Sequence, residues 1–401
     1  MAAVRRVVAT GLGTVNPLGR DVASFWEACL AGRSGVGEIR SFDASSYPCR
    51  VAAEVSRQSL GDEGATREPA LRMAELAFGQ ALQHARYLAG AYDPRRAGVV
   101  LGTVLGGTIS GQQYLRAERP DQAEAAKDLE RYPLRTIASV LARRAGFSGP
   151  ILTVSTACAS GTDAIGIAYR KIASGAADLI VAGGVDAICE LSFSGFCSLK
   201  GLTSDKVRPF SLNRTGLALG EGAAFLVLER ETTAVGRGAE ILGYITGYAS
   251  RSDAFHLTAP HREGRGLAAA AMAALRDGGC HPREIEYVNA HGTGTPYNDS
   301  METRAIKTAL GEQARTVPIS SIKAALGHPF GAAGALEAAV CLLAIRDGVI
   351  PPTINLEEPD PECDLDFVPN LARKVAVRAA LSLSAGFGGQ NAALLIRGRA
   401  S

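Results

Sequence analysis

The chain has 401 residues, 47% apolar and 20% charged, the balance of a soluble globular protein with one large or two mid-sized domains. Lys and Arg number 42 against 40 Asp and Glu, so net charge gives no ground for a nucleic-acid or anionic-membrane partner. There is no apolar run of the roughly eighteen residues a membrane span needs and no signal-peptide pattern at residues 1–6, which makes the cytoplasm the expected compartment.

The first strand-like run is 7–10, and a helical pattern follows over 71–85. The irregular stretch between them, 56–68, reads as a surface loop. Strand-like runs at 98–102, 151–154, 179–182 and 223–228 enclose a helical pattern at 162–173. The charged span 229–239 precedes a second strand-rich run from Glu240, with strands at 287–290 and 392–396 and helical patterns at 266–276 and 333–345. Alternating helices and continuously apolar strands predict an α/β fold with sheets covered on both faces. The expected division is 1–240 and 241–401. Similarity between these halves is too weak in sequence to claim a repeat.

Eight cysteines occur, none in C-x-x-C spacing, so no metal site is expected. Cys189 and Cys341 sit in apolar contexts and read as core residues. The Gly102–Gly107 stretch lacks the Lys-Ser/Thr of a phosphate loop, which argues against nucleotide binding. His84 and His281 read as surface residues, while the segment 253–260 is placed to line an entrance.

Cys158 stands in Val154-Ser-Thr-Ala-Cys158-Ala-Ser-Gly161, between an apolar strand and a helix start. A helix N-terminus favours an anion, which would lower the thiol pKa, and the small neighbours leave the sulfur approachable. The bland alternative is a buried, inert cysteine. His291 opens Asn289-Ala-His291-Gly-Thr-Gly-Thr-Pro296 directly after a strand, and His328 lies in Lys323-Ala-Ala-Leu-Gly-His328-Pro-Phe-Gly331. One such histidine alone reads as structural. Two in glycine-rich turns, together with Cys158, point to catalysis. The turn Gly386-Phe387-Gly-Gly389 offers an aromatic gate and a backbone N–H for an oxyanion, or is a plain glycine turn.

These motifs resemble the elongating β-ketoacyl-[acyl carrier protein] synthases, the Cys-His-His branch of the thiolase-like superfamily. The likeness runs from Val8-Ala-Thr-Gly-Leu-Gly13 through Val181-Ala-Gly-Gly184, Arg208-Pro-Phe210, Gly220-Glu-Gly-Ala223 and Pro351-Pro-Thr-Ile-Asn355 to Phe387-Gly-Gly-Gln-Asn391. It implies a five-layered αβαβα fold from two similar halves. It also implies no metal or organic cofactor, an acyl carrier protein as substrate donor, and a homodimer or a heterodimer with a chain-length-factor-like subunit. Cys158 would take the acyl chain, and His291 and His328 would stabilise the enolate left by decarboxylation of a malonyl thioester. Lys323 and Glu302 would form an electrostatic pair orienting the histidines, with Asp299 structural. Thr293 and Thr295 would hold the pantetheine arm. Phe387 would be the gate, its N–H and that of Cys158 forming the oxyanion hole beside Gly388. Gly111 would widen the acyl pocket. Ser211 and Thr215 where acids are frequent, Ala385 in place of a second Phe, and Gly111 shift the expectation from ordinary fatty-acid elongation toward a polyketide or polyene pathway. A thiolase is disfavoured because Ser384-Ala-Gly-Phe-Gly388 carries no second cysteine. A non-catalytic chain-length-factor-like subunit is disfavoured by the intact Cys158, His291 and His328.

Overall fold

Strands that read as unbroken apolar runs feed two different cores, one on each face. In Leu179–Asp186, Ile180 and Ala182 join one cluster, whereas Leu179, Val181 and Val185 join another. Gly222–Arg230 divides the same way, with Ala224, Leu226 and Leu228 opposed to Ala223, Phe225 and Val227. A period of two with both faces buried leaves no polar alternation to see.

The computed structural model describes residues 5–61, 68–88, 90–116 and 122–399. Residues 1–4, and residues 62–67 of the irregular stretch, lie outside the described residues. The described part of that stretch is only partly a surface loop: Arg57–Leu60 forms a short 3-10 turn, and Leu60 and Glu68 are buried.

Ten strands form one sheet among the described residues. They are β1 (Val7–Val15), β2 (Ala97–Gly102), β3 (Ile151–Val154), β4 (Leu179–Asp186), β5 (Gly222–Arg230), β6 (Gly243–Ser252), β7 (Tyr287–Asn289), β8 (Ile319–Ser320), β9 (Ala379–Gly386) and β10 (Gln390–Arg397). Their order is β8-β7-β9-β10-β6-β1-β5-β4-β2-β3. Read outward from the antiparallel β1–β6 junction, each side repeats one plan: two antiparallel pairings, then two parallel ones. The order 1-5-4-2-3 on one side is 6-10-9-7-8 on the other. The two similar halves that single-residue similarity conceals are plain in the topology.

Six helices complete the layers: α1 (Pro69–His84), α2 (Arg135–Ala145), α3 (Ser160–Ala173), α4 (Arg265–Asp277), α5 (Asn298–Leu310) and α6 (Ala333–Asp347). Helices α1 and α2 cover the outer face of the first half-sheet. Helix α4, backed by α5, covers that of the second, and α3 and α6 lie between the halves. Helix α6 is buried along Ala333–Ala344 with no polar face, as a central layer requires, and stops at Gly348 in the left-handed region (φ 63°). The central helices meet through glycine. A Cβ on Gly334 would lie 1.9 Å from Thr162 Oγ1, and one on Gly161 2.6 Å from the Gly331 carbonyl oxygen.

The topology also sets out the chemistry. Strand β3 runs into Cys158 and α3, and its counterpart β8 leads through His328 to α6. His291 follows β7. No described helix is long and apolar enough to cross a membrane.

Candidate active site

Cys158, His291 and His328 are 8%, 2% and 2% exposed. The cysteine sulfur and one nitrogen from each histidine all lie within 4.8 Å of one another. They line one cavity of about 270 Å³ with Thr293, Thr295 and Phe387. The segment expected at the entrance is there too, through Asp253, Thr258, Ala259 and Pro260.

A strained turn carries the thiol. Ala157 has φ 50°, the left-handed region that a Cβ disfavours. The turn is held by Thr156 N–H donating to Ser160 Oγ at 2.9 Å and Ser160 Oγ donating to the Ala157 carbonyl at 2.5 Å. The backbone N–H groups of Phe387 and of Cys158 itself both approach the sulfur. Gly386 eases that approach, since a Cβ there would sit 3.0 Å from the Cys158 nitrogen, closer than an ordinary contact.

The expectation of a lowered thiol pKa is not met. Burial pushes the Cys158 thiol up to about 11, and Lys323 and the Phe387 N–H pull it back only in part. The thiolate fraction therefore still grows with pH above neutrality. Alkylation of Cys158 by iodoacetamide should accelerate about tenfold per pH unit through pH 9 and level off only near pH 11. A plateau below pH 8, followed by site-resolved mass spectrometry, would show instead that the helix start outweighs burial.

Backbone bonds hold each histidine. His291 N–H and Gly292 N–H donate to the two Glu302 oxygens at 2.6 and 2.7 Å. The His328 N–H donates to the Ala218 carbonyl at 2.8 Å, and the His328 carbonyl accepts from Gly220 N–H at 2.9 Å. The His328 loop is thus clamped to the other half of the molecule. The rings stand at 82° with centroids 5.3 Å apart. Burial first, then the Lys323 charge, holds both imidazoles well below their ordinary pKa, and His328 lowers His291 further. Neutral rings result, each with one N–H donor. His291 Nδ1 and both His328 nitrogens lack partners although buried. Buried imidazoles that line this cavity and keep unpartnered nitrogens are suited to an incoming oxyanion.

The β-ketoacyl synthase N-terminal domain matches residues 4–234 and the β-ketoacyl synthase C-terminal domain residues 242–357. The chain belongs to the β-ketoacyl synthase family. It is 40% identical to the 3-oxoacyl-[acyl-carrier-protein] synthase 2 of Synechocystis sp., across 98% of both chains. It is 41% identical to the tetracenomycin polyketide synthase ketoacyl synthase alpha subunit of Streptomyces glaucescens, again across 98% of both. Among solved structures it resembles a type II polyketide ketosynthase described in complex with its acyl-carrier protein and bound to a hexaketide. That match has a TM-score of 0.93 and 34% identity, covering 98% of this chain and 100% of that one. The ishigamide ketosynthase/chain length factor gives 0.91 and 36%, over 99% and 100%. The thiolase-like fold is therefore the fold of this synthase.

Four expectations need correction in this family member. Lys323 does not pair with Glu302. Its ammonium bonds Glu337 of α6, both side chains being 1% exposed, while Glu302 serves the His291 turn and is pushed up to about 7 by burial. Gly111 lies within the helix Thr108–Arg116 and is not among the residues lining the cavity. The Tyr132 ring fills the space a larger residue would need, 2.6 Å from a Cβ there. Gly388 also stands outside the lining, and its N–H donates to the Leu257 carbonyl at 2.7 Å, tying the Phe387 turn to the entrance segment. His84 is half-buried, its Nδ1 3.3 Å from the Leu12 nitrogen. Other readings stand as placed: His281 is exposed, Cys189 and Cys341 are buried, and Asp299 is structural, accepting from Phe210 N–H at 2.7 Å.

Three residues that pattern reading passed over complete the site of the synthase. Phe196 stacks on Phe387 with centroids 5.4 Å apart and 16° between rings. Asp186 is buried and accepts from Leu105 N–H at 2.8 Å and Gly331 N–H at 2.7 Å, fastening the loop after β2 to the loop after His328. Glu337 had a signal: an acid inside a wholly apolar helix needs a buried partner.

Proposed function

We propose that this chain condenses an acyl thioester held on Cys158 with a malonyl thioester, releasing CO₂ and a β-ketoacyl product for fatty-acid or polyketide assembly. The observation that carries it is the meeting of one thiol and two neutral imidazoles, all buried, in a single cavity. In the first step the Cys158 sulfur attacks the acyl carbonyl, the carrier thiol leaves, and the oxyanion lies toward the N–H groups of Cys158 and Phe387. The malonyl thioester then enters, with Thr293 and Thr295 beside its pantetheine arm and its carbonyl oxygen between His291 and His328. Loss of CO₂ leaves an enolate whose charge the two imidazoles hold. Each such donor is worth on the order of 10²–10³ in rate. The enolate carbon attacks the acyl-Cys158 carbonyl, and the Cys158 thiolate departs and regains a proton. Lys323 with Glu337, and Glu302, position the histidines. Phe387 gates entry against Phe196.

An acyl carrier protein as donor is supported by the relative named for that substrate and by the structural neighbour described in complex with one. Substrates that arrive covalently carried call for no further cofactor. A second subunit, identical or chain-length-factor-like, is supported by neighbours described with such a factor and by the sheet edge. Edge strand β3 leaves Ile151 and Leu152 40% and 37% exposed, an apolar edge of the kind that pairing covers. A division into 1–240 and 241–401 is supported by the two five-stranded sets. Eight free cysteines suit the reducing cytoplasm.

Intact-mass spectrometry of the chain with a panel of acyl-carrier thioesters tests the first step. The expected result is one acyl mass added per chain, with native spectra giving either twice 41.6 kDa or a second polypeptide. Acylation confined to any cysteine other than Cys158 would refute the assignment.

A further inference from the structure

The residues that serve condensation also form a three-point soft-donor set. The Cys158 sulfur and one nitrogen of each histidine fall within 4.8 Å of one another, all in buried side chains. Three of the four imidazole nitrogens of these histidines, His291 Nδ1 and both of His328, are buried without a hydrogen-bond partner. An unpartnered buried imidazole lone pair is as ready for a metal ion as an N–H is for an oxyanion. From this geometry we infer that the empty cavity binds a soft divalent cation, Zn²⁺ above all, through Cys158, His291 and His328, in competition with acyl loading.

The donor set is the right one for zinc. Two imidazoles and a thiolate leave a fourth tetrahedral position for water. Zinc–sulfur and zinc–nitrogen bonds of about 2.3 and 2.0 Å place tetrahedral donors roughly 3.5 Å apart. Binding therefore requires the three donors, now within 4.8 Å of one another, to draw closer by side-chain rotation. The step balances simply: the Cys158 thiol gives up its proton to solvent as the sulfur–zinc bond forms, and no electrons change hands. Nearby charge does not forbid it. The Lys323 ammonium is already paired with the Glu337 carboxylate, and among the described residues no other cation is hydrogen-bonded or ion-paired to the three donors. Mg²⁺ and Ca²⁺, which require oxygen ligands, find none of their own kind in this triad.

Zinc so held is an occupant, not a cofactor. An acyl thioester removes the anionic sulfur and so removes the site, which means that loaded enzyme excludes the metal and idle enzyme accepts it. That competition rests on the function proposed above, whereas metal binding itself does not.

The test uses the whole chain and the metal alone. Isothermal titration with Zn²⁺ should give one site per chain with Kd at or below micromolar. Binding should weaken at least 100-fold in Cys158→Ala and at least tenfold in each of His291→Ala and His328→Ala, with circular dichroism checking that each variant is folded. Co²⁺ in place of Zn²⁺ should show thiolate-to-metal absorption that Cys158→Ala lacks. One equivalent of Zn²⁺ should slow iodoacetamide alkylation of Cys158 at least tenfold, chelator should restore it, and Mg²⁺ should leave it unchanged. No stoichiometric binding, or equal binding in the three variants, overturns the inference. Wild-type chain that loads acyl groups yet takes no zinc removes this proposal and leaves the condensation intact. Chain that binds zinc through the triad but never loads does the opposite.

Discussion

Cys158→Ala is expected to lower condensation by at least about 10⁴-fold while malonyl decarboxylation continues, because the two activities use different atoms. Removing the sulfur deletes the acyl acceptor and leaves His291 and His328 in place. Their positions depend on Glu302, Ala218 and Gly220, none of which involves the cysteine side chain. The turn should survive as well, since it is held by Thr156, Ser160 and backbone atoms. Mass spectrometry of carrier-bound products reads both activities: the malonyl carrier should become the acetyl carrier, with no β-ketoacyl species. Elongation persisting in the variant would put the nucleophile elsewhere.

His328→Ala is expected to do the reverse. Decarboxylation should fall about 10²- to 10³-fold, the usual consequence of deleting one oxyanion donor, while acyl transfer to Cys158 is partly kept. The backbone of the loop need not move, because its N–H and carbonyl are bonded to Ala218 and Gly220 whatever the side chain. The sulfur, moreover, has the Phe387 and Cys158 N–H groups for the acylation oxyanion. Separate single-turnover measurements of loading and of CO₂ release distinguish the steps. Normal CO₂ release with loading abolished would exchange the roles given to the two parts of the site.

Much of this arrangement is legible in the sequence because it is local. A helix or strand announces itself through the spacing of its own residues, and 151–154 and 333–345 are recognised within a few residues of their ends. The chemical side chains lie at strand-to-helix turns whose small residues mark them. What escapes is set by partners distant in the chain. Lys323 pairs with Glu337 rather than Glu302 because α6 returns beside its own entry loop. Gly111 is closed by Tyr132, which pattern alone does not bring near it. The thiol pKa follows burial by several segments at once, which no local spacing records. The short strand β8 is two residues long, too brief for a period, and exists because β7 pairs with it. The repeated strand order belongs to the same class, a similarity of paths rather than of residues.

The glycine contact between α3 and α6 has a thermal meaning. Ser160–Ala173 begins next to the thiol, Ala333–Asp347 begins next to His328, and both lie in the innermost layer. Segments so placed open only when the whole domain opens, and their amides exchange with solvent last. Thiol and imidazole are thus held in register by the most slowly exchanging part of the molecule. On heating, the thiol and the imidazoles are expected to lose their spacing only as the fold itself is lost, so that activity and global unfolding share one transition.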